Sequence, residues 1–186
     1  KGTVPKKSTF TCQESTCGRD QDVLESIKAT GKTGPAAPYA VQGYCPDCDS
    51  EGVAYGGRFF DLPDPRAFDL ANEEWEARKS SDLDGWWPTS ELPYGFMTHH
   101  LQGGVPNHGF THWWTMFNSR QLLTLSQMLK AIVHAGDFSW ETREYVLGVF
   151  QQYLRNQNMF CFWHKSHDHF APHLSNNNFH PKSTVV

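Results

Sequence analysis

Four cysteines stand in two close pairs, Cys12-x4-Cys17 and Cys45-Pro46-Asp47-Cys48, with 27 residues between the pairs. Each pair can bend into a knuckle that directs two thiolates at one ion, and two knuckles complete the tetrahedral sulfur shell of a structural Zn²⁺. Gly18 supplies a permissive backbone behind the first pair, and Pro46 stiffens the second. The spacing therefore predicts Cys12, Cys17, Cys45 and Cys48 as ligands of one structural zinc. Four sulfurs close the shell and leave no position for water, which excludes a catalytic role for that metal. A redox-active C-x-x-C is the competing reading. It wants a thioredoxin-like strand before the motif and a helix starting at it. Asp49, Gly52, Gly56 and Gly57 after Cys45 favour a hairpin instead. The fifth cysteine, Cys161, reads as a small buried hydrophobe.

Other side chains with chemical capacity are looser in pattern. His108-x3-His112 has metal-binding spacing only on a helix, which Gly109 opposes, and His99, His100, His164, His167, His169 and His173 read as loop histidines. Arg19, Lys28, Lys32 and Arg58 flank the cysteine pairs, with Lys1, Lys6 and Lys7 ahead of them, so this end is a candidate for phosphate contact. Trp86, Trp87, Trp113 and Trp114 either stack on an extruded base or pack against other protein, the latter being the blander reading. Arg120 is a candidate for a phosphate or carboxylate contact.

The elements that position these residues follow from periodicity and caps. Between the knuckles, Val23, Leu24 and Ile27 share one face of a short helix that ends at Gly31. A hairpin with a Gly56-Gly57 turn is expected over residues 53–60, which completes a ribbon-like module over 8–62. Asp64-Pro65 then opens a helix to about Lys79, with Phe68, Ala71 and Trp75 on its apolar stripe and Glu73, Glu74 and Glu76 on a solvated face. With the Gly-, Pro-, His- and Trp-rich loop over 80–117, it forms a second region, 63–117. The third region, 118–186, starts with a helix capped by Ser119, with Leu122, Leu123, Leu125, Met128, Leu129, Ile132 and Val133 on a wide apolar face, and ended by Gly136. A second helix runs from Ser139 to about Asn156 with Tyr145, Val146, Val149, Phe150 and Tyr153 inward, and the tail from Gln157 is loop. The expected fold class is α+β: a small zinc-ribbon module followed by a mainly helical region with an antiparallel helix hairpin.

Composition narrows the classes. The 186 residues carry 16 Lys and Arg against 20 Asp and Glu, a net charge of −4, which excludes a wholly basic, DNA-coating protein. The charge is uneven: seven basic side chains against seven acidic over 1–60, three against nine over 61–100, six against four over 101–186. All net acidity thus lies in the middle. No run approaches the roughly 18 apolar residues of a membrane span, and no apolar stretch follows the N-terminal lysines as in a signal peptide. With an odd cysteine count, this argues against a disulfide framework and for a soluble, cytoplasmic protein without membrane partners. The ends, Lys1 and Val185-Val186, read as cut from a longer chain.

Phe117-Asn118-Ser119-Arg120-Gln121-Leu122-Leu123-Thr124-Leu125, preceded by Trp113-Trp114 and followed by Asn158-Met159-Phe160-Cys161-Phe162-Trp163, resembles a stretch of large bacterial adenine-specific DNA methylases that contain a zinc ribbon and an N-terminal domain of unknown function. The order of ribbon, Arg-Gln-Leu helix and Asn-x-x-Cys-x-Trp covers most of the chain. Ser119 stands where the family usually has Pro, and either residue suits a helix start. The resemblance implies an N6-adenine methyltransferase as the parent, but its Asp/Asn-Pro-Pro-Tyr/Phe loop for the flipped adenine and its Gly-rich loop for S-adenosylmethionine have no counterpart here. Asp61-Leu62-Pro63-Asp64-Pro65 lacks the paired prolines and the aromatic. On this resemblance the chain is a non-catalytic segment whose partners are the remainder of the parent methyltransferase and, at its basic and tryptophan positions, DNA. S-adenosylmethionine belongs to the parent alone. The alternative is a zinc-binding module for protein–protein interaction with the Trp-rich loop as its surface.

Overall fold

The computed structural model describes residues 9–30, 38–53, 55–93, 105–164 and 169–172. Its order is β1 (Thr9–Thr11), β2 (Asp20–Asp22), α1 (Val23–Thr30), β3 (Val41–Tyr44), α2 (Pro46–Ser50), β4 (Arg58–Asp61), α3 (Pro65–Arg78), α4 (Ser119–His134), α5 (Trp140–Leu154), β5 (Cys161–His164) and β6 (His169–Pro172). Two 3₁₀ turns, Val105–His108 and Trp113–Met116, precede α4. The strands form three separate antiparallel pairs, β1 with β2, β3 with β4 and β5 with β6. The fold is α+β, as expected.

Local chemistry explains most boundaries. The Asp22 carboxylate accepts the Leu24 and Glu25 amides at 2.8 and 3.1 Å and so starts α1. Asp64 caps α3 by accepting the Arg66 amide at 3.0 Å, with Pro65 as its first residue. Helix α4 is capped by Asn118 rather than by Ser119. Asn118 Oδ1 accepts the Gln121 amide at 2.9 Å and Gln121 Oε1 accepts the Asn118 amide at 3.0 Å, a reciprocal capping box. Ser139 caps α5.

Three expectations about where strands and helices fall also change. The hairpin near the second cysteine pair does not lie within 53–60; β3 pairs with β4 across a 13-residue connection, Val41 opposite Asp61 and Tyr44 opposite Arg58. A short helix, α2, occupies that connection directly after Cys45, where a hairpin was expected. The tail after Gln157 is not all loop, because β5 and β6 pair there, Phe162 opposite Ala171 and Trp163 opposite Phe170.

The core lies between α3, α4 and the loops that join them. Trp75, the fully buried Leu83 and Leu122 form one cluster, and Val105, Met116 and Phe160 form the next, with Phe117 packed against both. Arg78 holds Asp82 at 2.6 Å and Glu74 at 3.3 Å, and Lys130 of α4 reaches Asp82 at 3.5 Å, tying the end of α3 to α4. On α5, Phe150 is buried and Val146 half-buried, whereas Tyr145, Val149 and Tyr153, expected inward, are exposed. Among the described residues no helix is long and apolar enough to cross a membrane.

Candidate metal half-sites and a polar cleft

The second cysteine pair is held by backbone on every side. Cys45 caps α2 from an extended conformation, and its Sγ accepts the Cys48 amide at 3.5 Å. The Cys45 amide donates to the Gly57 carbonyl at 2.8 Å, and the Val53 amide donates to the Cys48 carbonyl at 2.9 Å. Gly57 makes this closure possible: its φ is +71°, and an added Cβ would stand 2.3 Å from the Cys45 carbonyl oxygen. The Cys48 amide donating to Cys45 holds that thiol below its usual range, and the same sulfur beside Cys48 pushes the second thiol up. With β3 ending before Cys45 and α2 starting at it, the pair has the strand-then-helix setting that the redox reading asked for, and the amide-to-sulfur bond suits a metal-bound thiolate equally well.

The first pair sits on the connection between β1 and β2. The Cys12 amide donates to the Arg19 carbonyl at 2.9 Å, the Cys17 amide to the Glu14 carbonyl at 2.9 Å, and Gly18 turns the chain at φ +58°. Cys12 is half-buried and Cys17 exposed. The two pairs therefore crown two different hairpins. Among the described residues no group of three or more Cys, His, Asp or Glu side chains converges on one point, so the structure does not bring the two cysteine pairs together around one ion.

The remaining sequence candidates fall on different surfaces. Arg19, Arg58 and Arg120 are exposed, on the β1–β2 connection, on β4 and on the first turn of α4. Lys28 lies on α1. Lys32, Lys1, Lys6, Lys7, His99, His100, His167 and His173 lie outside the described residues. Trp87 is committed to the interior: its Nε1 donates to the Lys79 carbonyl at 3.0 Å and its ring meets Trp75 and Trp114 edge-on. Trp86 packs on His134. Trp113 and Trp114 remain 41% and 39% exposed and so keep part of each ring in solvent. His112 bonds Thr111 Oγ1 at 2.9 Å, and the His164 and His169 rings stack 5.7 Å apart. Cys161 is buried, as expected, and burial pushes its thiol up.

One feature had no counterpart in the sequence reading. A cleft between the start of α4 and the residues after α5 is lined by Asn118, Gln121, Asn156, Gln157, Met159 and Phe170, among others. The signal was present as Asn156-Gln157-Asn158, three carboxamides in a row directly after a helix. Phe170 meets Trp163 edge-on at 5.2 Å, and Trp163 meets Phe60 of β4 in the same way at 5.2 Å, so a row of rings leads away from the cleft. Comparison of the chain with protein-family profiles, with curated proteins and with solved structures gives no match.

Proposed function

We propose that the chain is a zinc-stabilised, non-catalytic segment of an adenine-specific DNA methyltransferase, which contributes to DNA recognition or to positioning the catalytic halves of its parent. The observation that carries the metal part is the Cys45–Cys48 knuckle, whose sulfur already accepts an inward-turned amide. Cys12 and Cys17, at the tip of the other hairpin, supply the matching pair of thiols. When bound, Zn²⁺ would cross-link the β1–β2 and β3–β4 hairpins, neither of which has a buried apolar side chain among the described residues. The methyltransferase setting rests on the resemblance of the Arg120-Gln121-Leu122 helix start and of Asn158-Met159-Phe160-Cys161-Phe162-Trp163. Support for DNA contact comes from exposed Arg19, Arg58 and Arg120 and from the open faces of Trp113 and Trp114.

Metal analysis of the purified chain tests the first part. About one zinc per chain, lost in Cys45→Ser, is the expected result; a metal-free chain with unchanged hairpin amide exchange would remove it. A gel-shift salt titration tests the second. Retardation at low salt that weakens as salt rises is expected, and none at low salt would remove DNA recognition. The sequence on either side of this segment tests the parent: a Gly-rich cofactor loop upstream and an Asp/Asn-Pro-Pro-Tyr/Phe loop downstream are expected, and their absence would exclude the methyltransferase.

A second reading, a protein-interaction module, is favoured by one observation. Tyr145, Val149 and Tyr153 recur every four residues along α5 and are 76%, 54% and 45% exposed, a stripe suited to another protein surface.

A further inference from the structure

Helix α5 carries two apolar stripes that go to different places. Phe150 and Val146 turn inward, whereas Tyr145, Val149 and Tyr153 stand out, 76%, 54% and 45% exposed. The outer stripe is symmetric about Val149, with one tyrosine four residues before it and another four after. At 1.5 Å per residue the two tyrosines lie about 6 Å on either side of Val149 along the helix. Gly148 sits beside the centre of the stripe. It is exposed, and an added Cβ would meet nothing within 4 Å, so no contact inside the chain calls for glycine at a position where alanine makes the stronger helix. A second backbone approaching from outside would use the missing side chain.

The charges of α5 are ordered as well. Glu144 and Arg155 are exposed and make no ion pair among the described residues. Eleven residues, about three turns, separate them, and Arg155, the C-cap, keeps helical dihedrals, so the two share the flank that carries Gly148. The helix dipole accounts for an acid near the start and a base at the end, but not for their common flank beside the stripe. A partner must therefore offer a matching apolar strip with a base opposite Glu144 and an acid opposite Arg155. A second α5 running antiparallel offers both. A two-fold axis through Val149 sets Tyr145 of one copy against Tyr153 of the other and lays the two Gly148 flanks together. Glu144 lies about 7.5 Å from Val149 along one helix and Arg155 about 9 Å along the other, so opposite charges meet twice within about 1.5 Å of register. A parallel pair would set Glu144 on Glu144 and Arg155 on Arg155, which repulsion disfavours. We propose that α5 is a self-association surface on which two copies of the chain pair antiparallel about Val149, with two Glu144–Arg155 ion pairs between them. One helix pair falls below the roughly 1,200 Å² of stable interfaces, so the dimer is a weak one, with an expected Kd of about 10–100 μM.

The inference rests on the protein-interaction reading of this stripe and fails separately from it. The full chain is followed by sedimentation equilibrium from about 5 to about 500 μM. Reducing conditions keep the exposed Cys17 from forming an intermolecular disulfide. The expected result is a monomer–dimer equilibrium. Val149→Arg is expected to weaken it at least about tenfold, with tryptophan near-ultraviolet dichroism unchanged as the check on folding. Glu144→Arg is expected to weaken it about fivefold, and Glu144→Arg/Arg155→Glu to restore it to within about twofold, a recovery that a purely structural role of either charge would not give. A monomer at every concentration, a dimer indifferent to Val149→Arg, or a double variant no tighter than Glu144→Arg would overturn the proposal. The underlying reading has its own measure, the broadening of Tyr145, Val149 and Tyr153 resonances by a soluble paramagnetic chelate in dilute chain. Broadening in a chain that stays monomeric overturns the dimer and leaves the stripe open to another protein; protection in the monomer overturns both.

Discussion

Gly57 shows how much of the cysteine knuckle rests on one absent methyl group. Its φ is +71° and its missing Cβ would strike the Cys45 carbonyl and the Asp49 amide, whereas Gly52, with φ +70°, has nothing within 4 Å of the same position. Both glycines avoid left-handed strain, but only Gly57 also avoids a backbone collision. Gly57→Ala should therefore weaken zinc affinity at least about tenfold and speed exchange of the Cys45 amide, while Gly52→Ala should cost no more than about 1 kcal/mol. Equal effects of the two, measured by metal competition and hydrogen exchange, would show that the collision is absorbed. Cys161 gives the converse case: buried and with its thiol pushed up, it should be the last of the five cysteines to react with a thiol reagent in the metal-free native chain. Types and spacing made the four paired cysteines and the buried fifth legible. The two open hairpins that separate the pairs were not legible, because spacing states which thiols can share an ion and says nothing of the distance between two knuckles.

Among the elements, the periodic signal was right about existence and weaker about orientation. On α5, Tyr145, Val149 and Tyr153 and the pair Val146 and Phe150 form adjacent stripes at i, i+4 spacing, and either could have faced the core. Packing against α4 selects the second: Phe150 is 8% exposed and Tyr145 76%. Phe150→Ala is accordingly expected to cost about 3 kcal/mol in denaturant unfolding, and Tyr145→Lys to stay within about 0.5 kcal/mol. Comparable costs of the two would restore the orientation read from sequence, which put both stripes inward. The cap of α4 was open to a finer reading. Asn118 and Ser119 are both capping types, but only Asn118 has a glutamine three residues on, and that pairing decides the start of the helix. Asn118→Ala should cost about 1 kcal/mol. The β5–β6 pair left little trace, since four-residue strands of mixed aromatic and histidine character fall below any window in which alternation can be counted.

For the whole molecule, the two halves are held by different forces. The helical half has the Trp75, Leu83 and Leu122 cluster and the Arg78–Asp82–Lys130 group that ties α3 to α4. The Arg78 guanidinium bonded to Asp82 lowers that carboxyl to about 2, with the Lys130 ammonium adding to the effect. A folded value below the unfolded one, near 3.9, means the group stabilises at neutral pH and loses that contribution as pH falls from about 4 through 2. Asp82→Asn should flatten this part of the acid-unfolding profile, by a modest amount because the carboxylate is 43% exposed to screening solvent. Among the described residues the hairpin half has no buried apolar side chain before Trp75, so its order is expected to depend on the proposed metal cross-link. The chain carries its own reporters for telling the halves apart. All seven tryptophans lie from Trp75 onward, whereas Tyr39, Tyr44 and Tyr55 belong to the hairpin half. Chelation should therefore change tyrosine environment and accelerate exchange of the Cys12 and Cys45 amides, while tryptophan near-ultraviolet dichroism persists apart from Trp163, which touches Phe60. Loss of the tryptophan signal in step with the metal would mean that the zinc holds the helical core as well.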